Sequence, residues 1–456
     1  MKIPCVTRIS FVVCGLSFLR PALTGIRYYN LTLIATALVL GSRFNLTEIS
    51  RMWLKEKCVS TLSYFLSDAK FSTSEMQHLY ALRTLHLYKI SGGYFIIDDT
   101  MRHHTNFCKR IHGVCILFDH VFRTNVRAVC LVVLYYTDGA MIKFPICFRI
   151  YYQDESRNNM PWRRGRKFVC RKKYELAAEM PEWALKAGFP KCTVPADSWF
   201  GIGPFVRELG RLKLNYVLEI KSSYNVRIRS EKPKLTPTKR LAKNQYDLTN
   251  ISEFFRNIIF AVKYGFAHDE ETGKHEKTLY HAKIITARLN SVPGRHRIVE
   301  STDPVGKTVK YLLTDQLTWE AGRIISVYSY RRVIEEFFRN AKQLSDMEGA
   351  TVRSEQGVTT ALCLVFRIDF LLHFENWKQC IAGELPKEPL TIPSIVRREQ
   401  YENSKAFIEK VQNDEEFVRK WLGVEKNSIF RKRKMRNNLV ELNESESDAG
   451  GMDLAA

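Results

Sequence analysis

The chain has 456 residues, more than one ordinary hydrophobic core holds, so we expect about two to four structural units. Its 70 Lys and Arg outnumber 48 Asp and Glu, and the resulting formal charge of +22 favours a polyanionic partner, most often nucleic acid. None of the eleven cysteines forms a Cys-x-x-Cys pair, so the sequence indicates neither a zinc ribbon nor a disulfide framework.

Residues 1–90 have the pattern of a helical N-terminal domain. Its two apolar runs, 11–19 and 31–40, fall short of the roughly 20 residues that a membrane-spanning helix needs. They are therefore interpreted as buried helices, with a targeting or membrane role as the alternative.

Two capping boxes follow within this domain. Asn45 to Glu48 and Ser72 to Glu75 each begin a predicted helix, and a short helix at 59–66 lies between them. Short helices joined by a few residues fit a DNA-binding helix-turn-helix, although a plain helical bundle would give the same pattern. DNA binding by residues 1–90 is the preferred reading.

The pattern changes to strands after Gly92. The apolar stretch 94–97 is predicted to be a buried strand that ends in Asp98, Asp99 and Thr100. Three further strands are predicted at 113–118, 128–136 and 141–152. Consecutive strands of this kind indicate an antiparallel meander, which begins the first part of a core at 91–210.

A basic stretch occupies 160–173 and contains seven cations without an acid. Arg163, Arg164 and Lys167 are predicted to follow DNA phosphates, with a solvated loop as the alternative. A helix at 174–187, interrupted at Pro181, then leads to a strand at 192–196, which ends at Asp197.

Residues 211–315 are predicted to form a mostly β insertion. A second part of the core, 316–380, begins with a helix from about 316 to 344. Residues 381–440 are predicted to be a helical C-terminal region, and 441–456 a disordered acidic tail. The apolar helix at 358–377 contains Arg367 and Asp369, which favour a protein core over a bilayer.

The helix at 316–344 carries the pattern of greatest interest. Four of its side chains have spacings that place them along one helix face: Tyr328, Arg331, Glu335 and Lys342. An ordinary amphipathic surface helix, with Glu335 paired to Arg339, is the alternative. Together with two aspartates at strand ends, however, Glu335 could complete a carboxylate site for divalent metal ions.

Three sequence blocks resemble bacterial insertion-sequence DDE transposases of the cut-and-paste type. They are Phe95-Ile-Ile-Asp-Asp-Thr100, Pro195-Ala-Asp-Ser-Trp-Phe-Gly201, and the signature Tyr-x2-Arg-x3-Glu-x6-Lys that begins at Tyr328. The resemblance implies an α/β fold whose ribonuclease H-like catalytic core is interrupted by a β-strand insertion. The helical N-terminal domain and helical C-terminal region would flank that core.

The resemblance also implies roles for individual residues. Asp99, or Asp98 as the second choice, would act with Asp197 and Glu335 as catalytic residues that bind two Mg²⁺ ions, with Mn²⁺ as a substitute. Tyr328, Arg331 and Lys342 would hold phosphates of the transposon end, and Arg339 lies on the same helix.

Such an enzyme would cut double-stranded DNA at terminal inverted repeats and join the freed 3′-hydroxyl to target DNA. It would act in the bacterial cytoplasm, at the nucleoid, as a homodimer when bound to DNA. A catalytically silent, domesticated relative that binds DNA without cutting it is the alternative.

Overall fold

A computed structural model describes residues 3–414 and 418, except 54–57, 69, 106, 154–159, 164–168, 230–245, 257–260, 269–274, 304–307 and 384–389. The described helices are α1 (Ser10–Gly15), α2 (Gly25–Val39), α3 (Leu46–Arg51), α4 (Val59–Ser67), α5 (Thr73–Tyr88), α6 (Lys173–Lys186), α7 (Gly203–Leu212), α8 (Ile251–Arg256), α9 (Ala321–Ser329), α10 (Arg332–Gln343), α11 (Glu355–Ile381) and α12 (Ile392–Asn413). The described strands are β1 (Tyr94–His104), β2 (Cys115–Asp119), β3 (Thr124–Thr137), β4 (Lys143–Tyr151), β5 (Val194–Ala196), β6 (Tyr216–Ile220), β7 (Asn225–Arg229), β8 (Tyr246–Asn250), β9 (Ala261–His268), β10 (His275–Leu289), β11 (His296–Thr302) and β12 (Val309–Thr314).

The strands form one mixed sheet whose central part has the order β4-β3-β1-β5-β6. β3 pairs antiparallel with both β1 and β4, as the predicted meander requires. β5 pairs parallel with β1 on one side and with β6 on the other. This mixed architecture, three antiparallel strands followed by two parallel ones, is what the predicted ribonuclease H-like core requires.

The predicted β insertion extends the same sheet. β12 pairs antiparallel with β6, and β11, β10, β7 and β8 continue the order outward. β6 lies within the range predicted for the insertion, but its parallel pairing with β5 makes it a continuation of the core sheet. The strands added to the core therefore begin at β7.

The N-terminal helices pack directly against the core and are not a separate unit. α1, α2, α4 and α5 all contact α11, and one hydrophobic cluster extends from Cys5 to Val396. The capping predictions are confirmed, because Asn45 accepts from the amides of Thr47 and Glu48, and Ser72 accepts from that of Glu75. The apolar run 31–40 is buried throughout, whereas in the run 11–19 only Val12, Leu16 and Leu19 are buried.

Helix α11 is the long apolar helix that the sequence predicts. Among the described residues it alone is long and apolar enough to cross a membrane by length and composition, and 89% of its most apolar window is buried inside the fold. Arg367 and Asp369 lie on this helix and are themselves buried. Packing against four N-terminal helices accounts for its apolar character.

Two helix predictions were wrong. α6 continues through Pro181 without interruption, because the buried side chains around the proline hold the helix in place despite the missing backbone hydrogen bond. The helix predicted at 316–344 is two helices, α9 and α10, separated at Tyr330 and Arg331. There the amides of Arg331 and Val333 bond to carbonyls three residues back, the tight pattern of a 3-10 turn.

Candidate active site

Strand register brings two aspartates to the same place in the sheet. Ile97 of β1 is aligned with Ala196 of β5 in the parallel pair, and Asp98 and Asp197 each follow one residue later. Side chains alternate between the two faces of a strand, so these two carboxylates leave the sheet on the same side. Asp98 is buried, and Asp197 is about one-third exposed.

Arg331, at the turn between α9 and α10, connects these aspartates to Glu335. Its Nη2 atom lies 3.2 Å from Oδ2 of Asp98 and 3.3 Å from Oδ2 of Asp197. Its Nη1 atom lies 2.5 Å from Oε1 of Glu335, one helical turn further on. One guanidinium group thus contacts three carboxylates from two strands and a helix.

Burial and like charge make this site costly to ionise fully. The pKa of Asp98 is raised to about 7, mainly by burial; Arg331 lowers this pKa, and Asp99 and Asp197 raise it. Burial alone would lower the pKa of Arg331, but Asp98, Tyr328 and Asp197 raise it above its ordinary value. The arginine therefore stays protonated among acids that repel one another.

Asp99, the first choice for a catalytic residue, lies on the opposite face of β1. Its Oδ2 atom accepts from Nζ of Lys173 at 2.8 Å and lies 3.7 Å from Sγ of Cys130. Burial lowers the pKa of Lys173, yet Cys130 and Asp99 raise it above its ordinary value overall. Because side chains alternate between the two faces of a strand, Asp99 lies on the face away from Asp197. Asp98 takes the position that was expected of Asp99.

The other signature residues do not share one face, because the helix divides at residue 330. Tyr328 is buried and its hydroxyl donates to Glu219 of β6, which also pairs with Lys310 at 3.3 Å. Lys342, near the end of α10, lies 3.3 Å from Glu348 and remains about 30% exposed.

Arg339 is exposed on α10, and Glu335 pairs with Arg331. Arg163, predicted to follow phosphates, is instead buried: it donates to the carbonyl of Gln153 and stacks on Trp162. Burial removes its guanidinium from the surface that DNA would touch. Arg164 and Lys167 lie outside the described residues.

An exposed aromatic residue lies beside the site. Trp199 is 49% exposed, two residues after Asp197. Nζ of Lys173 lies 5.3 Å and Nζ of Lys221 5.8 Å from the centre of its ring. The sequence indicated this exposure only through the position of Trp199 just after Asp197, beyond the end of the strand.

The donor chemistry of the site fits a hard divalent cation, because all three acids offer carboxylate oxygens. Over the described part of the chain, however, no three His, Cys, Asp or Glu side chains are close enough together to hold a metal ion. The guanidinium of Arg331 stands among the carboxylates and sets their spacing. Asp98, Asp197 and Glu335 would hold the metal if that group moved.

Comparison with known families gives one match. Residues 27–246 match a family model described as DDE superfamily endonuclease. The matched segment includes Asp98 and Asp197 and ends before Glu335 and the Tyr328 signature. No curated protein matches the chain.

Proposed function

We propose that this chain is a metal-dependent transposase, because residues 27–246 match the family model of the DDE superfamily endonucleases. It would cut DNA strands at the ends of a transposon and transfer the freed 3′-hydroxyl into target DNA. Asp98, Asp197 and Glu335 are the proposed catalytic residues. Asp98 replaces Asp99 in this proposal because it shares a face with Asp197.

One observation carries the proposal: three carboxylates distant in the chain contact a single guanidinium group. Such a cluster is expensive to keep for structure alone, since each acid disfavours ionisation of the others. The burial of Asp98 and the partial burial of Arg331 add to that cost, and a catalytic use accounts for it.

When bound, two Mg²⁺ or Mn²⁺ ions would activate the attacking oxygen and stabilise the leaving oxygen. The protein would contribute orientation. β1 and β5 fix the two aspartates relative to one another through their paired backbones, and α10 carries Glu335 to the same edge. Rigid elements of this kind hold ligands more precisely than loops do.

The proposed DNA contacts lie around this edge. Lys342 and Arg339 on α10 present cations to the solvent side, and the formal charge of +22 supports a polyanionic partner. We propose double-stranded terminal repeats and target DNA as ligands, a homodimer on DNA, and action in the cytoplasm at the nucleoid. Binding by the N-terminal helices belongs to the same proposal.

The competing function is a silent relative that binds DNA without cutting it. The full chain, incubated with Mg²⁺ and DNA from both sides of its gene, distinguishes the two. A transposase nicks at the element boundary, whereas a silent relative shifts the DNA on a gel and leaves it intact.

Asp197→Ala should abolish this cleavage while DNA binding is retained. Glu409→Ala, which changes an exposed acid on α12, is the control and should cleave normally. Undiminished cleavage by Asp197→Ala would remove Asp197 from the mechanism.

A further inference from the structure

Resting on the proposed function, we propose that Arg331 is an internal placeholder for the metal ions. In the metal-free protein its guanidinium holds the three carboxylates together. As divalent cations enter, it leaves the carboxylates and takes a phosphate of the DNA. The arginine would thereby make metal binding depend on DNA.

The distances describe a site set to the size of a guanidinium group. The nitrogen-to-oxygen distances to Asp98 and Asp197 are 3.2 and 3.3 Å. Magnesium takes its oxygen ligands at about 2.0–2.1 Å. The carboxylates therefore have to move inward by about 1 Å each, and the guanidinium has to leave the space between them.

Charge balance also favours departure of the Arg331 guanidinium from the carboxylates when metal ions bind. A single positive charge faces three carboxylates, so the site retains negative charge in the metal-free state. Two divalent ions would bring more positive charge than the acids can neutralise, and a partly buried arginine beside them would then be repelled. A phosphate supplies the missing negative charge.

The guanidinium is not fully satisfied where it lies. Its Nε atom is buried and has no hydrogen-bond partner among the described residues, although both terminal nitrogens are paired. Arginine presents five donors in a planar fork that suits phosphate oxygens. A phosphate could therefore satisfy donors that the carboxylates leave unpaired.

The backbone around Arg331 is anchored, so the movement belongs to the side chain. Tyr328 is held by Glu219, and the ring of Tyr330 packs on that of Tyr94 with centroids 4.5 Å apart. Arg331 lies at the 3-10 turn after these two contacts. Its long side chain can change rotamer without moving either helix.

Linkage follows from this arrangement. If DNA phosphate draws Arg331 away, DNA must raise the affinity for metal, and metal must raise the affinity for DNA by the same factor. Removing the guanidinium should tighten metal binding in the absence of DNA and abolish the coupling.

Calorimetric titration of the full chain with Mn²⁺ tests the proposal. Arg331→Met keeps an unbranched apolar stem without the charge, and we expect it to bind Mn²⁺ about tenfold more tightly than the unaltered protein when DNA is absent. Adding a duplex of the flanking end should tighten Mn²⁺ binding by the unaltered protein but not by this variant. Arg323→Met, at an exposed arginine of α9 that stacks on Trp319, should behave like the unaltered protein.

Two further measurements keep the test decisive. Without metal, Arg331→Met should unfold at a lower temperature because the acids lose their counter-charge, and Mn²⁺ should raise its midpoint more than that of the unaltered protein. Arg331→Lys keeps the charge but cannot contact three acids at once, so its Mn²⁺ affinity should fall between the two. This conservative variant serves if Arg331→Met does not fold.

Two results would contradict the placeholder role of Arg331. Equal or weaker Mn²⁺ binding by folded Arg331→Met and Arg331→Lys, with normal binding by the unaltered protein, would overturn the placeholder and leave the proposed transposase standing. Absence of Mn²⁺ binding by all of these proteins, with and without DNA, would overturn both.

Discussion

Asp98 and Asp99 are consecutive residues of β1, and their carboxylates lie on opposite faces of the sheet. Asp98 contacts Arg331 at 3.2 Å, whereas Asp99 pairs with Lys173 at 2.8 Å. One acid therefore belongs to a cluster with Asp197, and the other belongs to an ion pair at the start of α6. This separation makes the two residues each other's best control.

We expect Asp98→Asn to lower DNA cleavage at least about a hundredfold, more than the loss of an outer-shell partner usually costs. Asp99→Asn should cleave DNA normally but unfold more easily, by about 1–3 kcal/mol, because Lys173 loses its carboxylate in a largely buried place. Gel-based cleavage and thermal unfolding of both variants measure the two effects. The reverse pattern would return the catalytic role to Asp99.

Lys342→Ala should weaken binding of the flanking DNA end and reduce its salt dependence. One lost phosphate contact lowers the slope of log K against log salt by about 1. Lys342 is tied to Glu348 at 3.3 Å in the free protein, so the binding of phosphate has to compete with that acid. Affinities at several salt concentrations provide the slope.

The control for this prediction is Lys186→Ala, which removes an exposed lysine that pairs with Glu182 on α6. Its slope should match that of the unaltered protein. An unchanged slope for Lys342→Ala would exclude a phosphate contact by that residue.

Tyr328→Phe should affect stability and not DNA binding. The hydroxyl donates to Glu219 and is buried, and hydrogen bonds to charged groups contribute about 1.5–3 kcal/mol. We expect the free energy of unfolding to fall by that amount while the salt slope stays unchanged. A lower slope would show instead that the tyrosine reaches a phosphate, as the signature implied.

Asp369 in α11 should make the fold more stable at mildly acidic pH. Burial raises its pKa to about 8, while the hydroxyl of Tyr135 donates to its Oδ2 atom at 3.2 Å. Because the folded-state pKa lies above the unfolded value, the contribution of the protonated acid is complete below about pH 4 and is lost as pH rises toward 8.

Within that window the free energy of unfolding should fall with a limiting slope of about 1.4 kcal/mol per pH unit from this group. Asp369→Asn, which cannot ionise, should remove this part of the slope in denaturant titrations between pH 5 and 8. Equal slopes for the variant and the unaltered protein would show that Asp369 is already ionised in the folded state.

Much of the local structure could be predicted from the sequence. Asn45 and Ser72 begin helices because short polar side chains satisfy free amides there, a property that depends on neighbours along the chain. The strands of the meander and the positions of Asp197 and Glu335 were predictable for similar reasons. Composition alone indicated a polyanionic partner.

Tertiary structure decided which side chains meet. Residues 95–97 are apolar on both faces of β1, so the sequence offers no contrast between an inner and an outer face, and the choice between Asp98 and Asp99 depends on pairing with β5. The break at Tyr330, the burial of Arg163 and the position of Arg331 among three acids likewise depend on contacts between distant segments. Local sequence sets the direction in which each side chain leaves the backbone, but packing between distant segments determines what lies opposite it.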